Sequence, residues 1–264
     1  MFRREGYAEP AGLFTLSHLG LVLFFGALAV LFYALTKKWS KAQVIRFFKI
    51  YSLILVVLEI FKIIWNIVNY GISAASLNRF IPLYYCSILL YAFVIVAFCK
   101  GKVQKAAYSW IMYGGLASGL AFLIYPSSSL LFYPFYHFLC LHSILFHMNF
   151  ILIGFLIFRY ELYIPSVKDF WSFVIFSLVF MILAVIINKK AGTNLMFFEK
   201  PLAILPFETL NEWSPLFFQS LIFILQLFGP FIGTHFVFYL FSRFTPFKIY
   251  KRNEENLTTN NDNI

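Results

Sequence analysis

A chain of 264 residues that is 61% hydrophobic and only 12% charged is too apolar for a soluble domain. Its formal charge of +10 is spread over the connecting segments instead of gathered in one patch, which argues against a nucleic-acid partner and for membrane orientation as the origin of the charge. The three cysteines, Cys86, Cys99 and Cys140, lie in or at the ends of apolar runs without any C-x-x-C pair, so a disulfide framework is not expected.

Apolar runs of this length suit α-helices, because a helix rises about 1.5 Å per residue and the hydrocarbon core is about 30 Å thick. The short alternating segments of a transmembrane barrel are missing. Where every face is apolar, periodicity says little, and Pro, Gly and charge punctuation set the boundaries. The expected fold is all-α: a polytopic bundle of about seven transmembrane helices in one domain over 1–250. The spans fall near 13–36, 44–68, 80–98, 106–124, 132–158, 170–187 and 216–241.

Arg3 and Arg4 precede a polar stretch through Pro10, and the next apolar run is long enough to span, so it is expected to stay as the first helix. One set of loops carries fourteen lysines and arginines and the other six, which predicts an outside N-terminus and a cytoplasmic C-terminus in a multi-pass cell-membrane protein. The outer loop 188–215 is too apolar for a plain linker. With Pro201, Pro206 and Pro215 against a single helix, it is expected to lie over the outer face as a re-entrant or interfacial lid. The polar tail 251–264 is expected to be disordered and cytoplasmic.

The run 132–158 is the one around which the rest is organised, since it is apolar and yet carries His137, Cys140, His142, His147 and Asn149. Ionisable groups inside a span are costly and mark functional sites. Converting position into depth at about 1.5 Å per residue brings His18, Glu59, Lys62, Cys86, His137 and His142 into the outer half of the membrane. His147 and His235 fall elsewhere. Each residue alone has a bland alternative: a cysteine packs like a small hydrophobe, and Glu59 and Lys62, three apart on one helical face, can simply neutralise one another. Convergence at one depth is what raises the joint reading above its parts.

A cysteine and a histidine brought together from different helices make a nucleophile and its base for attack on an ester or thioester carbonyl. No Gly-rich phosphate loop, H-x-x-x-H spacing or G-x-S-x-G elbow occurs, so neither a metal nor a cofactor is expected.

Three stretches resemble the YwaF or transmembrane protein 164 type of membrane protein. They are Ile81-Pro82-Leu83-Tyr84-Tyr85-Cys86, His137-Phe138-Leu139-Cys140-Leu141-His142, and Gly192-Thr193-Asn194-Leu195-Met196-Phe197 followed by Lys200-Pro201. The resemblance runs from the first helix to the last. It implies acyl transfer onto phospholipids through a membrane cysteine and a histidine, roles that fall on Cys86 and His142. The family pattern has a histidine in the slot of Tyr84, and a tyrosine hydroxyl donates a hydrogen bond without serving as a base near neutral pH.

The first reading is therefore a lipid acyltransferase with Cys86 as nucleophile and His142 as proton shuttle. His18, Glu59, Lys62, Tyr84 and His137 would bind or tune, Asn194 would sit in the covering loop, and membrane phospholipids or lysophospholipids would be the partners. Two alternatives stand beside it. One is a small-solute or proton-coupled transporter using Glu59, Lys62 and the histidines. The other is a non-enzymatic scaffold whose Gly114, Gly115 and Gly119 offer a close helix contact.

Overall fold

The computed structural model describes residues 2, 8–73, 76–201 and 205–244, and these are helical without a strand among them. In chain order the helices are α1 (Leu16–Thr36), α2 (Lys41–Tyr70), α3 (Leu77–Phe80), α4 (Ile88–Phe98), α5 (Gly101–Trp110) and α6 (Leu116–Ile124). Then follow α7 (Ser127–Leu130), α8 (Phe138–Arg159), α9 (Phe170–Ala191), α10 (Leu205–Trp213) and α11 (Pro215–Phe244). The tail 251–264 lies outside the described residues.

Among the described residues, six segments are long and apolar enough to cross a membrane: Leu16–Thr36, Leu77–Phe98, Gly101–Ile124, Phe138–Arg159, Val167–Ala191 and Pro215–Leu240. Helix α2 is not among them, although its 30 residues make it about 45 Å long. It carries the Glu59–Lys62 pair and packs against α3, α4 and α8.

Helix ends follow local chemistry. Ser40 and Gln43 form a reciprocal capping box at the start of α2, and Gly71 ends that helix at φ 68°. Gly192 closes α9 in the left-handed conformation, with its N–H on the Asn188 carbonyl. Helices α5 and α6 are joined through a π-turn at Ile111–Gly115, so this span is longer than the expected 106–124.

The structure changes three expected boundaries. The run 132–158 does not begin as helix: Pro134 sits in a turn, and α8 starts only at Phe138. The span expected over 80–98 is broken between α3 and α4 by extended residues around Pro82 and a 3-10 turn at Tyr85–Ser87. The outer loop contains α10, whose first turn accommodates Pro206, while Pro215 opens α11; both prolines therefore start helices.

Against lipid, an apolar side chain gains little by moving from hydrocarbon to protein, so close packing holds such helices together. Helices α6 and α8 approach closely along a line of glycines. A Cβ on Gly119 would lie 3.0 Å from Phe150 Cβ, one on Gly115 would lie 3.0 Å from Phe150 Cδ1, and one on Gly154 would lie 2.8 Å from Leu116 Cδ2. Gly115 and Gly119, offered by the scaffold reading as a partner contact, are thus used inside the chain. Gly114 likewise faces Tyr85 and Trp110. Around this seam, Trp110, Tyr113, Phe93, Phe150 and Phe173 are fully buried, while α1 exposes Leu19, Leu23, Val30 and Leu31.

Candidate functional site within the bundle

Helix α2 supplies two charges one turn apart. Glu59 is 4% exposed, and its Oε1 lies 2.5 Å from Lys62 Nζ, whose side chain retains 21% exposure. A carboxylate so enclosed needs a cation, and the i,i+3 spacing puts one on the same face.

Helix α8 supplies the histidine. His142 Nε2 is 3.6 Å from Glu59 Oε2, too far for a hydrogen bond, and the imidazole lies between the rings of Phe138 and Phe146. As the fifth residue of α8, His142 lies nearer the start of its helix than a span from 132 would put it.

Cys86 comes from the break between α3 and α4. Pro82 holds Ile81 extended (φ −77°, ψ 113°), and Tyr84 is extended too (φ −71°, ψ 157°), so the chain re-enters helix through the turn that carries Cys86. Non-helical backbone at this depth must be satisfied internally. The Leu83 N–H donates to the Ile81 carbonyl, the Ser87 N–H to the Tyr84 carbonyl, and Asn66 Nδ2 to the carbonyls of Lys62 and Arg79. Cys86 stands within electrostatic reach of Lys62 and Glu59, and Tyr84 within that of Cys86 and Arg79. Glu59 thus has His142 beside it on α8, and its field reaches Cys86 on the other element.

The loop after α9 covers this break. Asn194 accepts the N–H groups of Glu199 and Lys200 on its Oδ1, donates Nδ2 to the Lys200 carbonyl, and gives its own N–H to Asn78 Oδ1 at 2.7 Å. The Phe197 ring lies 5.4 Å from that of Tyr84. Behind it, buried Asn188 accepts from Thr193 and the Leu195 N–H, and Gln226 of α11 donates to the Met196 carbonyl. Met196 and Phe197 are held at φ 56° and 57°, a strained backbone that such over-determination sustains.

The other histidines serve elsewhere. His18 accepts the Phe14 N–H on Nδ1, and its Nε2 lies 3.0 Å from the Leu123 carbonyl; both ring nitrogens are engaged by backbone, pinning α1 to α6. His137 caps α8 by accepting the Leu139 N–H, its ring stacked on Tyr133 and edge-on to Trp65. Cys140 packs in the small apolar cluster with Leu21, Phe25 and Phe122. His147 donates Nδ1–H to the Ser143 carbonyl and stacks on Phe122. Asn149 accepts from the Tyr51 hydroxyl.

Sequence reasoning passed over Asn78, which anchors the loop, and Tyr91 of α4, which stands within electrostatic reach of Glu59. The polar break Ser76-Leu77-Asn78-Arg79 was the one available signal for Asn78. Tyr91 had none, being one tyrosine among sixteen.

No curated protein and no solved structure matches this chain. The TMEM164 family matches residues 13–230, a stretch that takes in α1, all of the residues around Glu59 and the loop that covers them. With at least six helices able to span a bilayer, the chain is a multi-pass membrane protein belonging to the TMEM164 family.

Proposed function

We propose that this protein is a lipid acyltransferase of the cell membrane, with Cys86 as nucleophile, His142 as base and acid, and Glu59 orienting the imidazole. The observation that supports the reading is the Glu59–Lys62 pair of α2 with His142 of α8 against it, and Cys86 of the 3-10 turn within its electrostatic reach.

In this reading His142 turns Nε2 to Glu59, and Nδ1 takes the Cys86 proton when substrate closes the gap. The thiolate adds to the ester carbonyl of a donor phospholipid, the acyl–oxygen bond breaks, and His142 returns the proton to the departing lysolipid alkoxide. A lysophospholipid hydroxyl then gives its proton to His142 and attacks the thioester, releasing the Cys86 thiolate. Lys62 places positive charge where negative charge develops on the sulfur and carbonyl oxygen. Tyr84 supplies a hydroxyl beside Cys86, and Asn194 holds the loop whose Phe197 lies on Tyr84. His18 and His137 support this arrangement from α1 and the start of α8, through the backbone groups that they hold.

The test is transfer of a labelled acyl chain from phosphatidylcholine to a lysophospholipid by protein reconstituted in vesicles. Cys86→Ala and His142→Ala should each abolish transfer, and Glu59→Gln should reduce it by a factor of ten or more. Full transfer by Cys86→Ala would overturn the assignment.

A second reading, a proton-coupled carrier, draws on the same buried Glu59–Lys62 pair and on the broken segment between α3 and α4. It predicts that Cys86→Ala keeps activity while Glu59→Gln loses it.

A further inference from the structure

A cavity lies away from the ion pair, between α6, α8 and α11, with a volume of about 620 Å³. On α8 its lining begins at Ile151, nine residues beyond His142 and thus about 14 Å further along the helix. It therefore shares no lining residue with the Cys86 site.

The chemistry of the wall selects the occupant. Of the fourteen lining residues all are apolar except Thr234, whose hydroxyl is already donated to the Tyr113 carbonyl at 3.0 Å. The spare acceptor capacity of one hydroxyl is too little to hold water, a headgroup or an ion, since a buried water needs two to four polar partners. The volume falls within the range of small-molecule sites.

Among its lining side chains Leu120 and Val237 are exposed, 48% and 40%, and both belong to membrane-crossing helices and not to a loop. What adjoins such side chains in a bilayer is hydrocarbon. Gly229 and Gly233, one turn apart on α11, leave the space open: a Cβ at either would meet nothing within 4 Å, whereas at Gly154 on the opposite wall it would strike Leu116. The two glycines of α11 thus leave room where side chains would otherwise project.

We infer that this cavity binds one hydrocarbon chain of a membrane lipid, entering sideways between α6 and α11. The site is independent of Cys86 and stands whether or not the protein transfers acyl groups.

The experiment uses full-length protein in nanodiscs containing phosphatidylcholine with a terminal diazirine on one acyl chain, photolysed and mapped by peptide mass spectrometry. Labels should concentrate on Leu120, Phe155 and Val237. Gly233→Phe and, as a milder filling, Gly229→Leu should each lower that labelling at least fivefold while the thermal midpoint stays within a few degrees of wild type. Gly26→Phe, on α1, where a Cβ also meets nothing, should change neither. Labels spread evenly over the lipid-facing sides of α1 and α9, or cavity labels unchanged in a folded filling variant, would overturn the proposal.

Discussion

His142 Nε2 faces Glu59 Oε2 at 3.6 Å across the contact between α8 and α2, while the other carboxylate oxygen of Glu59 meets Lys62. One carboxylate therefore stands between a cation on its own helix and an imidazole on the next. Substitutions here separate structural from chemical roles.

Removing the Glu59 charge alone leaves Lys62 without its anion. Glu59→Gln should destabilise the protein by about 2 kcal/mol, less than the ~3–5 kcal/mol of a fully buried pair because Lys62 keeps a route to the surface. In detergent the thermal midpoint should fall, and Glu59→Gln with Lys62→Met should recover most of the loss. A double variant worse than the single would contradict the pairing.

The loop after α9 depends on two asparagines. Asn188→Ala removes the acceptor of Thr193 and of the Leu195 N–H together with the donor to the Leu195 carbonyl, and should cost about 2–3 kcal/mol at roughly 1 kcal/mol per bond. Hydrogen exchange over residues 193–200 should rise at least tenfold. Asn78→Ala, which loses one bond to Asn194, should give a smaller rise confined to that end.

The α6–α8 seam is sized for glycine. Gly119→Leu forces a side chain onto Phe150 and Ile151 and should lower stability by about 1–3 kcal/mol, whereas Gly20→Leu on α1, where nothing lies within 4 Å, should be silent. Equal effects in a thermal-shift assay would show that the seam is not packed as described.

At the opposite end of the bundle, Asp169 is buried between Lys105 Nζ at 2.7 Å and the Tyr163 hydroxyl at 2.5 Å. Burial first, and then the neighbouring Asp169 carboxylate, push the Tyr163 phenol well above its ordinary value near 10. Below pH about 10 both folded and unfolded chains hold this proton; above it the unfolded chain loses it first, so stability falls as pH rises through that range. Tyr163→Phe should be less stable than wild type at neutral pH and lose stability less steeply between pH 9.5 and 11. An unchanged alkaline slope would contradict the assignment.

Run length located the helices well, because in lipid a span must be long, apolar and internally hydrogen-bonded whatever its side chains do. It failed where apolar residues continue through irregular backbone: nothing in 132–137 but Pro134 announces that α8 starts at Phe138. Glu59, Lys62 and His142 were legible as ionisable residues inside apolar runs. The parts played by His18 and His137 were not, because they depend on which backbone N–H groups the helix starts leave over. The break carrying Cys86 was marked by Pro82, but its cover by Asn194 and Phe197 depends on a contact across more than a hundred residues.

The central claim, a reactive thiol at Cys86, is tested most directly by intact-protein mass. Wild type and Cys86→Ala are incubated with labelled phospholipid and then treated with neutral hydroxylamine. The account predicts one acyl adduct on wild type, removed by hydroxylamine and absent from Cys86→Ala. No adduct on folded wild type across several lipid classes, or the same adduct on Cys86→Ala, would contradict it.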